Sequence, residues 1–187
     1  MDDAERQRLA ATLTISEAAP TDADAIWCRD RYFQELNARF GGGFGAGPGG
    51  VGGADGDTDM AAPAGHFVLA RVEQRLVGCG GLVVRTLDDQ QDFAEIKRMR
   101  VDDTLRGLGI GYRILDALEA RAREMGYHLA RLDSNGALSE AHALYRRSGY
   151  TEIPRYNDNP YASSGSRSTS VGPPVSGFCT LFYTGLG

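Results

Sequence analysis

The segment best suited to chemistry is a short run of glycines that follows an arginine in the middle of the chain. It reads Arg106-Gly107-Leu108-Gly109-Ile110-Gly111. A glycine turn that enters a helix presents unpaired backbone N–H groups at the positive end of the helix dipole. Such a turn can bind a pyrophosphate, and Gly109 and Gly111 would let the backbone approach the phosphate oxygens because they carry no Cβ. Arg106 would add a charge-assisted contact.

Two other kinds of nucleotide site use similar glycines. A P-loop needs Lys and then Ser or Thr after its glycines, whereas Tyr112 and Arg113 stand here. A dinucleotide fingerprint that begins at Gly107 needs Gly or Ala at position 112, which Tyr112 occupies. Asp133 does lie where a ribose-binding acid would be expected, so the dinucleotide alternative stays open. The rest of the chain disfavours it, because the repeated βαβ units of that fold are missing.

The glycine run needs a strand before it and a helix after it, and the flanking patterns predict both. Residues 93–101 read as a strand. After Leu108 one apolar stripe, with Arg and Glu on the other face, predicts a helix that ends at Gly126. A strand over 127–133, a helix over 139–147 and a strand over 149–153 follow. Because the crossover is short, we expect strands 93–101 and 127–133 to pair in parallel.

The first half of the chain predicts an antiparallel arrangement. A short strand near Leu13 and Ile15 precedes an amphipathic helix over 22–40, and strands over 67–72 and 76–84 form a hairpin. Together the two halves predict an α/β (α+β) fold. Its central sheet is mixed and mostly antiparallel, contains a βαβ unit, and carries helices on both faces.

Three segments do not read as regular structure. Residues 1–10 are polar and are expected to fray, and the glycine-rich residues 41–65 read as a flexible loop. Residues 162–177 are rich in Ser, Gly and Pro and read as a linker. After this linker, residues 178–184 could supply a last strand.

Composition and charge exclude several classes of function. A chain of 187 residues fits a single domain, and a net charge of -5 with a pI near 5.2 argues against nucleic acid as a partner. No stretch approaches the roughly 18 apolar residues of a membrane span. The three cysteines and three histidines match no metal-ligand spacing, so no metal is expected. The acidic N-terminus does not resemble a signal peptide, which favours the cytoplasm.

Three blocks of the sequence, in this order, resemble the GNAT superfamily of acetyltransferases. They are Glu95-Ile96-Lys97-Arg98-Met99-Arg100-Val101, the glycine run 106–111, and Ala143-Leu144-Tyr145 before Gly149-Tyr150. The family signature R/Q-x-x-G-x-G/A falls on Arg106, Gly109 and Gly111. The resemblance covers about residues 11–161 and implies the acyl-CoA N-acyltransferase (GNAT) fold.

The resemblance also implies acetyl-CoA as the co-substrate. The backbone of Met99 and Val101 would bind the pantetheine arm, with Arg100 in the same cofactor-binding stretch, and residues 106–112 through Tyr112 would hold the pyrophosphate. The N–H near Met99 would polarise the thioester carbonyl. Asn135 could hydrogen-bond the pantetheine amides, although a turn-forming role is the alternative.

Two side chains would carry the transfer itself. An amine with a pKa near 10.4 is almost wholly protonated at pH 7, and a base that takes its proton is worth roughly 10²–10⁴-fold. By resemblance Glu95 is that base, unless it is simply paired with Lys97 or Arg98. Tyr145 would protonate the departing CoA thiolate, unless it is only a packed aromatic residue.

The acceptor is the least specified part of the prediction. The leading interpretation is a primary amine of a small molecule that attacks directly in a ternary complex. The alternatives are a protein N-terminus or lysine, or a non-catalytic module that binds acyl-CoA. The first helix, the 41–65 loop and residues 155–162 are expected to build the acceptor pocket. Such folds often dimerise, so a homodimer is a further expectation.

Overall fold

The computed structural model describes residues 2–39, 54–87, 91–136, 138–157 and 164–168. Four α-helices lie in these ranges, α1 Asp3–Ala11, α2 Ala23–Arg39, α3 Ile110–Glu124 and α4 Ser139–Arg147, with 3-10 helices at Ala54–Met60 and Asp103–Leu105. The strands are β1 Thr14–Glu17, β2 Gly65–Val72, β3 Arg75–Leu87, β4 Gln91–Val101, β5 Ala130–Ser134, β6 Thr151–Ile153 and β7 Ser164–Ser168. Among the described residues, no helix is both long and apolar enough to cross a membrane.

The strands form one mixed sheet in the order β1-β2-β3-β4-β5-β7-β6. Strand β2 pairs antiparallel with β1 and with β3, and the register shifts at Ala70/Arg71, which marks a bulge. Strand β4 pairs in parallel with β5, at Ala94↔Ala130 and Glu95↔Arg131. The predicted antiparallel first half and the predicted parallel pair of the βαβ unit are therefore confirmed.

The described chain divides into two compact units. The first contains residues 1–83 and 96–118, and the second contains residues 84–95 and 119–187. Strands β3 and β4 and helix α3 each contribute residues to both units. The glycine turn lies in the first unit, whereas Glu95 and Tyr145 lie in the second.

The core of the first unit shows why helices cover both faces of its strands. Cys79 of β3 is buried in one apolar cluster with Ala25 and Cys28 of α2 and with Phe67 of β2. Its neighbour Gly80 faces α3, because a Cβ placed at Gly80 would lie 2.7 Å from Cγ2 of Ile114 and 3.0 Å from a methyl carbon of Leu118. Successive strand residues point to opposite faces, so α2 and α3 pack on opposite sides of β3.

The structure differs from the prediction in the segments thought to be irregular. Polar residues 3–11 form helix α1, whose N-cap Asp2 accepts from the N–H of Glu5 at 2.8 Å. Within the predicted loop 41–65, residues 54–60 form a 3-10 helix, whereas residues 41–53 lie outside the described ranges.

The predicted linker 162–177 is also wrong over residues 164–168, which form strand β7. Pairing with β5 on one side and β6 on the other satisfies the backbone of this serine-rich strand, so its side chains did not need to be apolar. The predicted last strand at 178–184 lies outside the described residues.

Candidate functional site

The glycine turn begins from a capped loop at the end of β4. Asp102 accepts a hydrogen bond from the N–H of Thr104 at 3.0 Å and another from Arg75 at 2.6 Å. Burial opposes ionisation of Asp102, but the hydrogen bonds from Thr104 and Arg75 outweigh it, and the pKa of this carboxyl is lowered. The chain therefore leaves β4 in a fixed direction before it reaches the glycines.

The glycines adopt the conformations that a phosphate-binding turn requires. Gly107 has φ 82° and Gly109 has φ 76°, both in the left-handed region where a Cβ is disfavoured. Helix α3 starts at Ile110, and its first backbone bond joins the N–H of Arg113 to the carbonyl of Gly109 at 3.0 Å. The N–H groups of residues 110–112 precede this bond, so they have no acceptor within the helix.

Space in front of the turn is open at one glycine and occupied at the other. A Cβ added at Gly109 would meet no heavy atom of the described residues within 4 Å, its own chain neighbours aside. At Gly107 the same Cβ would lie 2.7 Å from Nη2 of Arg6, which donates to the Gly107 carbonyl at 3.0 Å. The space beside Gly109 is therefore open among the described residues, and Arg6 of α1 is a cation near the turn that the sequence did not reveal.

The side chain of Arg106 has a partner of its own in the structure. Its guanidinium donates to Glu35 of α2, which also accepts from Arg39 at 2.9 Å and lies 3.7 Å from Nε of Arg100. Three guanidinium groups therefore contact one carboxylate, and any phosphate contact of Arg106 would compete with its contact to Glu35.

Strand β4 is irregular next to the residue predicted to polarise the thioester. Arg98 has φ 55°, which costs on the order of 1–3 kcal/mol for a residue with a Cβ. Its guanidinium forms a fork on Asp57, with Nε 3.1 Å and Nη2 2.9 Å from the two carboxylate oxygens, and lies 4.9 Å from the Phe33 ring. The sequence reveals neither feature, since no local signal marks a left-handed arginine.

Glu95 is the buried member of a polar cluster in the second unit. Its residue is 4% exposed, and its carboxylate accepts from Tyr156 Oη at 3.2 Å, from Asn157 Nδ2 at 3.4 Å and from Arg85 Nε at 3.4 Å. Asn157 Nδ2 also donates to Asp133 at 3.0 Å, so one amide bridges two carboxylates. The alternative pairing of Glu95 with Arg98 is not what the structure has, because the fork of Arg98 rests on Asp57.

Tyr156 is held as a neutral donor toward Glu95. Burial, and next the negative charge of Glu95, raise the pKa of Tyr156 well above its usual range. Its ring packs edge-on against Phe93 with centroids 5.7 Å apart. Tyr156 and Asn157 belong to the segment 155–162 that was expected to line the acceptor pocket, and the last five residues of that segment lie outside the described ranges.

Tyr145 and Asn135 lie at the two ends of the α4 region. Tyr145 is 7% exposed, and its ring centroid lies 5.8 Å from that of Tyr150. Asn135 closes the turn before α4, because its carbonyl accepts from the N–H of Leu138 at 3.0 Å and lies 3.1 Å from Nε2 of His142. These contacts favour the turn-forming role of Asn135, and its contact with pantetheine stays a prediction.

The described residues contain no group of three or more His, Cys, Asp and Glu side chains that could hold a metal ion. Two of the three cysteines, Cys28 and Cys79, are buried free thiols.

Comparison with known proteins identifies the family. Residues 30–150 match the model of the acetyltransferase (GNAT) family. An IAA acetyltransferase from Azospirillum brasilense is 34% identical over 93 residues, which are 50% of this chain and 59% of that protein. The chain thus spans little more than half the length of this curated relative.

Solved structures show the same fold over most of the chain. A Klebsiella pneumoniae protein assigned to the acyl-CoA N-acyltransferases is 28% identical with a TM-score of 0.61, and the match covers 84% of this chain and 97% of that one. The Salmonella typhimurium protein yncA, solved with its cofactor acetyl-CoA, is 15% identical with a TM-score of 0.60, covering 89% and 98%. The chain belongs to the GNAT family of acetyltransferases.

Proposed function

We propose that this chain transfers an acetyl group from acetyl-CoA to the primary amine of a small molecule. The observation that carries the proposal is the glycine turn, whose left-handed Gly109 faces open space at the first turn of α3 in a chain of the GNAT family. Acetyl-CoA supplies the activated thioester. Residues 106–112 would hold its pyrophosphate through backbone N–H groups.

In the proposed reaction the amine nitrogen forms a bond to the acetyl carbon and the carbon–sulfur bond breaks. Glu95 takes the proton that the amine loses, and Tyr145 donates a proton to the departing thiolate. The N–H of Met99 donates to the carbonyl oxygen as negative charge develops on it. The buried carboxylate of Glu95, oriented by Tyr156 and Asn157, supports the first role. The position of Tyr145 on α4 supports the second by family resemblance only.

Release of free CoA thiol on addition of amines tests the proposal. The purified chain is mixed with acetyl-CoA and panels of polyamines, amino sugars and peptides, and thiol is followed with a chromogenic disulfide. We expect thiol release with at least one small amine, together with an equal amount of acetylated amine by mass spectrometry. Tight binding of acetyl-CoA without any release would contradict the proposal and favour a non-catalytic acyl-CoA-binding module.

The same thiol-release assay tests the alternative acceptors. Acetylation of peptides, but not of small amines, would favour a protein N-terminus or lysine as the acceptor. The name of the Azospirillum relative adds IAA to the compounds worth testing. A cytoplasmic location stays a prediction, which fractionation of cells would test. A homodimer also stays a prediction, which light scattering of the purified chain would test.

A further inference from the structure

We infer that Asp57 and Cys79 are positioning residues that orient the peptide between Arg98 and Met99, so that its N–H can act on the thioester carbonyl. The inference rests on the proposed acetyl transfer and adds two residues to it. Neither residue belongs to the glycine turn or to the cluster around Glu95. Both act through the backbone of β4 rather than on the reacting atoms.

The peptide in question lies at the irregular residue of β4. A left-handed φ of 55° at Arg98 interrupts the regular strand geometry, and an arginine does not adopt it without support from its surroundings. The residue that follows, Met99, packs on the α3 side, where a Cβ at Gly80 would lie 2.9 Å from its sulfur. The conformation of residue 98 therefore decides which way the next N–H points.

Asp57 supports this conformation from the side-chain end. It is 1% exposed and accepts both arms of the Arg98 fork, at 3.1 and 2.9 Å. A second guanidinium, that of the buried Arg29, lies 3.2 Å from the same carboxylate and donates to the carbonyl of Pro20 at 2.6 Å. Two cations thus share one buried anion, so neutralising Asp57 would leave them to repel each other.

Cys79 supports the same conformation from the backbone end. Its thiol donates to the carbonyl oxygen of Arg98 at 3.5 Å across from β3. Burial raises the pKa of this thiol well above its ordinary value, and its hydrogen bond with Cys28 adds to the shift, so Cys79 stays protonated and its one proton is shared between the Cys28 sulfur and the Arg98 carbonyl. A donor on the carbonyl also polarises the peptide and strengthens the N–H at its other end.

Peptide geometry links these contacts to the reacting group. In a trans peptide the C=O of Arg98 and the N–H of Met99 point in opposite directions. Because the carbonyl is directed toward Cys79 on β3, the N–H of Met99 is directed away from β3. The contact of Arg98 with Asp57 and the hydrogen bond from the Cys79 thiol together hold the Met99 N–H in this direction. A flexible strand would not maintain it.

The test uses a spectroscopic readout that does not require turnover. The carbonyl stretching band of bound [1-¹³C]acetyl-CoA is measured by difference infrared spectroscopy for the full chain and for Asp57→Asn, with Asp59→Asn in the same 3-10 helix as the matched control. We expect the wild-type band below that of free acetyl-CoA, a return toward the free value in Asp57→Asn, and no change in Asp59→Asn. The kcat should fall about tenfold in Asp57→Asn, as for a weakened oxyanion donor, with the Kd of CoA unchanged.

A second pair of variants keeps the inference falsifiable if Asp57→Asn does not fold. Cys79→Ala removes the donor and should shift the band in the same direction, whereas Cys79→Ser retains an O–H and should restore part of the shift. Wild-type band and kcat in Cys79→Ala, or in a folded Asp57→Asn, would overturn the inference. Absence of thiol release by the wild-type chain would instead contradict the proposed function, and the band would still report the orientation of the peptide.

Discussion

The glycine turn and the cluster around Glu95 are built from different kinds of atoms. The turn uses backbone N–H groups of consecutive residues, and its glycines are needed for their φ values and for the open space at Gly109. The cluster uses side chains of Arg85, Glu95, Asp133 and Tyr156 with Asn157, which come from β3, β4, β5 and the segment after β6. The turn is therefore formed by residues that are neighbours in the sequence. The cluster around Glu95 instead depends on how the strands are assembled in the sheet.

The largest expected effect is a loss of kcat when Glu95, in the cluster built from side chains, is replaced. Glu95→Gln removes the base but keeps the shape of the side chain, so kcat should fall by roughly 10²–10⁴-fold. Binding of acetyl-CoA, measured by calorimetry, should be unchanged, because the turn is intact. Asp133→Asn is the matched control, since it alters the other carboxylate bonded to Asn157. Equal losses in both variants would show that Glu95 acts only as a part of the hydrogen-bond network.

Tyr145→Phe tests whether the packed tyrosine of α4 takes part in chemistry. Loss of a proton donor to the thiolate should lower kcat by about 10²-fold, the lower end of the range for general acids. The ring would still pack near Tyr150, so the melting temperature should change little. Tyr150→Phe serves as a comparison for a buried tyrosine with no proposed role. An unchanged kcat in Tyr145→Phe would leave Tyr145 as a packing residue.

A substitution at Gly109 tests whether the backbone of the glycine turn binds the phosphates of acetyl-CoA. Gly109→Ala places a Cβ at φ 76°, which costs on the order of 1–2 kcal/mol, and it intrudes on the space expected for the phosphates. We expect the Kd of acetyl-CoA to rise about tenfold, equivalent to about 1.4 kcal/mol.

Gly126→Ala controls for strain, because Gly126 has φ 89° at the C-terminal end of α3 and equally open surroundings. Both variants should lose similar stability in urea unfolding, but only Gly109→Ala should weaken binding. Equal acetyl-CoA affinities in the two variants would argue against a phosphate contact at Gly109.

The smallest expected effect concerns the protonation of two phenols, that of the buried Tyr150 and that of the half-buried Tyr156. Burial, followed by the charge of Glu119, raises the pKa of Tyr150, and burial and then Glu95 raise that of Tyr156. Any stability that these phenols contribute is complete below their unfolded pKa of about 10 and is lost as pH rises through the higher folded values. Absorbance at 295 nm should show that Tyr150 and Tyr156 ionise only when the chain unfolds, by comparison with Tyr150→Phe and Tyr156→Phe. Their titration in the folded chain near pH 10 would contradict the burial.

Much of the fold followed from local patterns in the sequence. The stripe of apolar residues after Leu108 predicted a helix that the structure has at Ile110–Glu124, and the predicted hairpin of strands 67–72 and 76–84 is confirmed in β2 and β3. The pattern failed at β7, because Ser164–Ser168 are ordered by strands on both sides rather than by their own preferences. Polar α1 was missed for a related reason, since it buries no residue and shows no stripe.

The candidate site divides in the same way. The sequence by itself determined the strand–glycine–helix order and with it the family, because φ preferences and unpaired helix N–H groups depend on neighbours in the chain. Only the tertiary structure decided that Arg106 rests on Glu35, that Asp57 holds Arg98, and that Tyr156 and Asn157 donate to Glu95. Those contacts join residues 41 to 71 positions apart, over which no backbone preference acts, and packing alone selects them.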